Sequence, residues 1–578
     1  MSIAEAAPAA EREWPPRRWA ALAILIAAGF MDLLDTTIVN VAIPSIRRDI
    51  HAGYAEIQWI VAGYILALAV GLITGGRLGD IAGRKRVFIA GVVAFGATSL
   101  ASGLAPTAGV LVATRVLQGL SAAVMIPQIL SVIQVSFPRR EQARAIAAYS
   151  SVAGIAVMSG PLTAGVLLDV VHWGWRSIFL INVPVSAAVV VAALVIVPES
   201  RAAEARRLDA TGVVLVSTAL FALVFGLIEG RALGWPAWTF AAMAAAAPLL
   251  TLFGRHERRV HARGGSPLVS PALLAQRSFS SGIVVVVVFF SGIVGFFLAF
   301  TIFLQLGLGY SALDSALTTF PSSVGLALAA QVSGKLAPRL GRRLLAAGSL
   351  VMALATVGLI VTVRANGAGL APWDVRPVIL VFGLGMGLII PSLADVILAD
   401  VEERHAGAAS GVLNTCMQVG NAVGVAIIGV ILFSALGSHA SSSAASVQPR
   451  LARQLAAAGV PAAERTRVVA GFRACFVDRA HEEDPAAVPP SCRHVAPPAA
   501  TIPLADASKR GRAADFVASI QRALSYDVFV FAATFALLLL LPGRRMYQTA
   551  GLDSPEVKGQ IARRRDRGAS SGKTTAGG

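Results

Sequence analysis

This chain of 578 residues predicts an all-α membrane protein, two six-helix bundles with a two-helix hairpin inserted between them. Three observations carry that reading. The mean hydropathy is +0.71, with 56% hydrophobic and only 14% charged residues. Fourteen apolar runs are long enough to cross a bilayer, and the two halves of the chain repeat each other. A spanning helix needs about 20 mostly apolar residues, because hydrocarbon offers no partner to the backbone amides.

The runs lie near 19–43, 57–75, 87–105, 109–133, 146–168, 178–197, 211–229, 237–254, 279–304, 314–333, 344–364, 375–398, 408–436 and 524–542, and are expected to be helices 1 to 14. The first is too long for the apolar core of a cleaved signal and no small-residue cleavage site follows it, so it is expected to stay as helix 1. The organisation that follows is a cytosolic tail (1–18), a first bundle (19–197), an inserted helix pair with a basic cytosolic linker (198–278), and a second bundle (279–542). The second bundle contains a long external loop, 437–523, with amphipathic stretches that suit a small cap. A basic tail, 543–578, is expected to be disordered.

The net charge of +17 is explained by orientation rather than by nucleic acid. With the N-terminus inside, 31 of the 49 lysines and arginines fall on the cytosolic side and 6 in the short external loops. Short loops decide orientation, so both termini are expected in the cytosol of a bacterial cell, the protein being multi-pass in its plasma membrane. All eight Trp fall at or near predicted helix ends and read as interfacial anchors. Every His is placed in a loop or tail, which disfavours a histidine relay and a metal site. Cys475 and Cys492 share the external loop, where an oxidising compartment permits a disulfide. No GxxxxGK[ST] motif occurs, so direct ATP drive is unsupported, and no cofactor is expected.

The repeat pairs "GRLGDIAGRKR" (76–86) with "GKLAPRLGRRL" (334–344), and "GLSAAVMIP" (119–127) with "GLGMGLIIP" (383–391). The offsets, 258 and 264 residues, match helices 1–6 to helices 9–14 and leave helices 7 and 8 as the insertion. Repeated halves are the usual build of a secondary transporter, with the substrate path between them near the midplane.

Several motifs in order make the chain resemble the major facilitator superfamily, and within it the fourteen-helix drug:proton antiporters. The loop after helix 2 matches the family signature at Gly76, Leu78, Asp80, Gly83, Arg84 and Lys85. The resemblance implies a conformational latch there, against the plainer reading of a basic turn that sets topology. Ile81 stands where the family usually has Arg, and Pro338 replaces the Asp in the second copy. "LVATRVLQGLSAA" (111–123) puts Arg115, Gln118 and Gly119 in register with the helix 4 motif. Arg115 either snorkels to the external surface or acts inside the membrane, where it needs a partner. "SGPLTAG" (159–165) resembles the helix 5 antiporter motif through Gly160, Pro161 and Gly165, with Ala156 and Ala164 where glycine is common. Gly-Pro bends a helix and small residues allow close packing, so a packing kink is the alternative. "LDTTIVNVAIP" matches the helix 1 motif through Asp35.

A proton-coupled carrier needs a carboxylate shielded from water. Glu229 and Asp395 sit near helix ends, and Asp32 and Asp35 are the only acids placed deep. Counting at 1.5 Å per residue puts Asp35 at about the depth of Arg115, which makes a pair feasible, and Asp32 a turn deeper. Asp35 is the candidate proton acceptor, tuned by Arg115. Asp32 is the candidate contact for a cationic substrate, or a second proton site. Asn414, Gln418 and Asn421 share one face of helix 13 and serve either interhelical bonding or the substrate cavity. Tyr64, Gln118 and Gln305 are further cavity candidates.

The expected function is proton-driven export of a lipophilic, cationic or amphipathic small molecule by a monomer in the bilayer. A dedicated exporter of one endogenous antibiotic, siderophore or lipid is the rival. A polytopic enzyme or sensor is disfavoured, since no loop offers a nucleophile with a base.

Overall fold

The computed structural model describes residues 17–201, 209–265, 267–269, 273, 275–398, 401, 406–481, 488–493 and 497–540. The tail 543–578 and most of the tail 1–18 lie outside these. Within them the chain is helical throughout: α1 Arg18–Ile50, α2 Tyr54–Ala82, α3 Arg84–Gly103, α4 Ala108–Ser136, α5 Arg139–Gly165, α6 Ser177–Ile196, α7 Ala210–Ala232, α8 Ala237–Ala262, α9 Arg277–Ile302, α10 Ala312–Leu340, α11 Arg342–Asn366, α12 Pro372–Leu398, α13 Ala406–Ala457, α14 Ala462–His481 and α15 Thr501–Leu540. Single π-turns, Val166–Val170 and Phe303–Gly307, prolong α5 and α9.

Twelve helices among the described residues are long and apolar enough to cross a membrane. α5 and α10 are of similar length, 27 and 29 residues, but carry more Ser, Thr, Gly and charge. With them the number agrees with the fourteen apolar runs. Both sit where polar residues are sheltered, packed on each other between the two halves.

Each half repeats the other's packing. α2 lies along α4 as α10 does along α12, α1 along α5 as α9 along α13, and α3 against α6 as α11 against α15. Glycine fixes the closest approach: a Cβ on Gly119 would strike the carbonyl of Tyr64, and one on Gly383 the carbonyl of Ser322. Those pairs stand 264 and 258 residues apart in sequence, the offsets of the repeat. The halves meet where α2 packs on α13 and α5 on α10. The α7–α8 hairpin leans on α2, where Trp59 meets Phe221 and Phe225 at 6.0 Å and donates to Glu229 at 2.8 Å.

The segment 437–523 is not a loop between two short spans. α13 continues for 52 residues and α15 for 40, about 80 and 60 Å at 1.5 Å per residue, well beyond a hydrocarbon core of about 30 Å. Alanine in this stretch sustains the helix, while Ala444, Val447, Leu451 and Leu455 recur at helical spacing and bury against Phe472, Ala500 and Ala507. α14 completes this cap, and Cys475 and Cys492 are bonded. The face that carries it is called the cap face, and the opposite one, where α1 begins and α15 ends, the terminal face. The histidines also differ from expectation: His256 and His261 lie in α8 and His439 in α13, because those helices outrun their apolar cores.

Candidate functional site

α1 carries a half-exposed stripe, Ile26, Phe30, Leu33, Thr37 and Asn40, at helical spacing. Behind it, the first bundle buries a polar network. Asp35 is 0% exposed and Arg115 1%, and the Arg115 guanidinium meets Asp35 Oδ2 at 2.5 Å. The other Asp35 oxygen accepts from Gln118 at 3.1 Å and from Asn182 at 2.8 Å. Arg115 also donates to Gln118 Oε1 at 2.8 Å and to the Ile60 carbonyl at 3.2 Å. Arg115 therefore pairs within the membrane rather than snorkelling, as burial of a guanidinium demands.

Asp32, 3% exposed, has different company. Tyr64 donates its hydroxyl to Asp32, and the Tyr64 ring lies under the Arg115 guanidinium, 4.1 Å from ring centre to Cζ. Tyr64 thus touches both parts of the network, a cation–π contact on one side and a hydrogen bond on the other. α1, α2, α4 and α6 each contribute to the cluster. Both carboxyls are buried together with one fixed cation, so when both are ionised the cluster holds one negative charge in excess.

Helix 5 ties this cluster to the other half. A Cβ on Gly160 would collide with the Thr37 hydroxyl and come within 3.2 Å of the Ile38 amide nitrogen. Five residues on, a Cβ on Gly165 would stand 2.7 Å from Leu313 Cα on α10. Asp169 then accepts the Leu313 amide at 2.6 Å. Pro161, half-buried between the two glycines, lies inside α5. One short stretch therefore seats α5 on the acid-bearing helix and on the opposite half.

The remaining candidates fall elsewhere. Gln305 donates to the Val41 carbonyl at 3.0 Å, a tie between α1 and the π-turn after α9. Asn414, Gln418 and Asn421 are half-buried on α13, and Asn421 donates to Gln418 at 2.9 Å. The signature expected in a loop instead spans the end of α2 and the start of α3, with only Gly83 between: Arg84 pairs with Asp80 at 2.9 Å, Lys85 Nζ donates to the Leu194 carbonyl at 2.7 Å, and Arg84 N donates to the Ser200 carbonyl at 2.9 Å. Gly83, at φ +107°, takes a backbone form that side chains resist, with Glu199 packed over it; Gly76 meets Pro127 at ordinary contact distance. The α2–α3 junction is thus docked on the end of α6, within its own half.

Two residues escape the sequence reading. Asn182, in "INVP", reaches Asp35 and Ser99; its signal is an amide buried in an otherwise apolar run. Asp527 corrects the statement that Asp32 and Asp35 are the only deep acids. It is 0% exposed in α15, and neither carboxylate oxygen has a hydrogen-bond partner among the described residues. Counting the span from 524 put it at a helix end, whereas α15 begins at Thr501.

Two pseudo-equivalent helical bundles, with a buried charge cluster in one of them, define a polytopic membrane carrier. Residues 25–425 match the Major Facilitator Superfamily, and the chain belongs to it. It is 42% identical over 535 residues, 91% of this chain and 93% of the other, to a protein of Streptomyces coelicolor named as a probable actinorhodin transporter. It is 36% identical to the tetracenomycin C resistance and export protein of Streptomyces glaucescens, over 78% of this chain and 82% of the other. In fold it resembles a bacterial homolog to the human lysosomal transporter Spinster, with TM-score 0.53 and 16% identity, covering 92% of this chain and 99% of that one.

Proposed function

We propose that this transporter is a proton-coupled exporter of lipophilic, cationic or amphipathic small molecules, working by alternating access as a monomer, with the proton gradient as its energy source. The excess of Lys and Arg supports reading the terminal face as cytosolic, in a bacterial plasma membrane, with both termini inside. The observation that carries the proposal is the charge count of the buried cluster: two carboxyls, Asp32 and Asp35, and one guanidinium, Arg115. Burial penalises an uncompensated charge, so the cluster has room for one further positive charge. A proton or a cationic substrate supplies it, and each excludes the other, which is the condition for antiport.

The unequal partners divide the work. Asp32, a turn nearer the terminal face and held among the described residues by Tyr64, meets a cationic group arriving from the cytosol. Asp35 takes the proton when Arg115 moves off it. Tyr64 relays the exchange, because drawing its hydroxyl off Asp32 shifts the ring beneath the guanidinium. The change reaches the second half through α5 at Gly160 and Gly165, and the Asp80–Arg84–Lys85 junction latches the outward-facing state.

The two antibiotic-named relatives support a second reading, export dedicated to one such compound. The test for both is proteoliposome transport of a panel of dyes, antibiotics and lipids, with and without a pH gradient. Wild type is expected to concentrate substrate only with the gradient, and Asp35→Asn to lose gradient-driven accumulation while still exchanging substrate across the membrane. Gradient-driven accumulation by Asp35→Asn would sink the coupling assignment. Transport of a single compound from the panel selects the dedicated reading.

A further inference from the structure

The base of the α7–α8 hairpin gathers a second set of ionisable side chains. Asp209 caps α7, accepting the Gly212 amide at 3.0 Å, and there burial acts to raise its carboxyl while that amide and His256 hold it below its ordinary value. His256 and Glu257 lie near the end of α8. His256 Nε2 stands 2.9 and 3.0 Å from the two Asp209 oxygens. Glu257 is 2% exposed, and its Oε2 accepts the Val269 amide at 2.8 Å, which draws the linker towards α9 onto the same spot. Its other oxygen, Oε1, is buried with no hydrogen-bond partner among the described residues. That oxygen and Asp209 Oδ2 converge beside Gly212, each 2.7 Å from where a Cβ would stand, with Leu268 Cδ1 2.9 Å from the same point, so only glycine lets the two carboxyls come this close together. One ligand atom from each of Asp209, His256 and Glu257 lies within 4.8 Å of the others.

We infer that Asp209, His256 and Glu257 form a site for one divalent transition-metal cation, with Zn²⁺ the best fit, which clasps the hairpin and the linker together. An imidazole and two carboxylates make a donor set that suits zinc, and three protein ligands leave a position for water. Two carboxylates with a neutral imidazole balance the charge of the ion. A cation at this point also satisfies Glu257 Oε1, whose burial without a donor is otherwise unfavourable. Side-chain exposures of 25% at His256 and 9% at Asp209 leave a way in from solvent. The clasp rests on none of the transport assignments above.

The experiment uses tag-free full-length protein in lipid nanodiscs, stripped with EDTA and titrated with Zn²⁺ against a chromophoric chelator. Wild type is expected to hold one Zn²⁺ per chain at least tenfold more tightly than His256→Gln or Glu257→Gln, and to show a Zn²⁺-dependent rise in Tm that both variants lose. Failure of wild type to bind, or equal binding by all three proteins, overturns the site. Monodisperse elution without zinc checks that the variants fold. Should either glutamine variant fail that check, Gly212→Ala, whose methyl presses on Asp209 Oδ2 and Glu257 Oε1, is titrated in its place, and unchanged Zn²⁺ affinity there also overturns the site.

Discussion

Cutting the Asp35–Arg115 pair from either side, and then from both, separates a buried ion pair from two independently useful residues. Both side chains are essentially inaccessible and 2.5 Å apart. At an effective dielectric of about 20, charges at that separation attract by about 7 kcal/mol before desolvation is subtracted. Arg115→Leu leaves Asp35 as a buried anion served by Gln118 and Asn182, beside Asp32, and removal of one partner of such a pair costs about 3–5 kcal/mol. Asp35→Asn keeps an oxygen for Gln118 and Asn182 but strands the guanidinium on Gln118, Ile60 and the Tyr64 ring, at about 2 kcal/mol or more. The double variant carries no charge at the pair, and replacing a whole buried pair by neutral groups is often close to neutral. The expected coupling energy is therefore at least about 2 kcal/mol, read from equilibrium unfolding of micellar protein in mixed-detergent titrations. All three variants should lose gradient-driven transport, including the double variant that regains stability. Additivity of the two single effects within about 0.5 kcal/mol would refute the ion pair as the core of the cluster.

Further outcomes follow from single contacts. Gly160→Ala drives a methyl into the Thr37 hydroxyl and lifts α5 off α1, so transport in proteoliposomes should fall at least tenfold with normal membrane insertion; wild-type turnover would show that this approach is not used. Gly165→Val presses on Leu313 and should disturb closure of the halves at the cap face, measured as a changed distance between spin labels on α5 and α10. Cys475→Ser with Cys492→Ser opens a loop closed over 17 residues, worth about 3 kcal/mol by loop entropy, so limited proteolysis should cut the cap faster while transport persists. Asp527→Asn breaks no hydrogen bond, so its Tm should match or exceed wild type; a fall of more than 10 °C would reveal a partner for that carboxyl.

The membrane architecture was legible because hydrocarbon imposes one length and one composition on every span, and because the repeat kept its glycines. Gly119 on the Tyr64 carbonyl and Gly383 on that of Ser322 are the packing reason for a sequence repeat first seen as letters. Depth counting brought Asp35 level with Arg115, since both lie on continuous helices of known rise. It could not give azimuth, and azimuth decides that Tyr64 serves Asp32 while Asn182 and Gln118 serve Asp35. A small cap was legible in the amphipathic stretches of 437–523, but its continuity with the spanning helices was not, for another reason. Hydropathy stops where the membrane stops, whereas helix formation in α13 and α15 does not, and the same error hid Asp527 by moving the start of its helix.

The repeat also shows where the halves part company. At the offset of 264 residues, Arg115 corresponds to Ile379 and Gln118 to Phe382. Phe382 stacks on Phe296 at 4.3 Å and meets Phe531 edge-on at 5.6 Å, so the place held by the charged cluster in the first half is held by aromatic rings in the second. Offset stacks of this kind pack densely and carry no charge to exchange. On the proposed proton-coupled reading, coupling enters through α1 and α4 and passes across by α5, while the second half holds no counterpart of the Asp35–Arg115 pair and has Asp527 as a buried acid in α15. A carboxylate placed among the rings, Phe382→Glu, would create a second charge-bearing site opposite the first. If coupling is one-sided, that change destabilises the second half without adding a proton to the transport cycle, and the number of protons moved per substrate, measured from the reversal potential in proteoliposomes, stays the same. A higher proton count would place a latent coupling site in the second half and overturn the one-sided account.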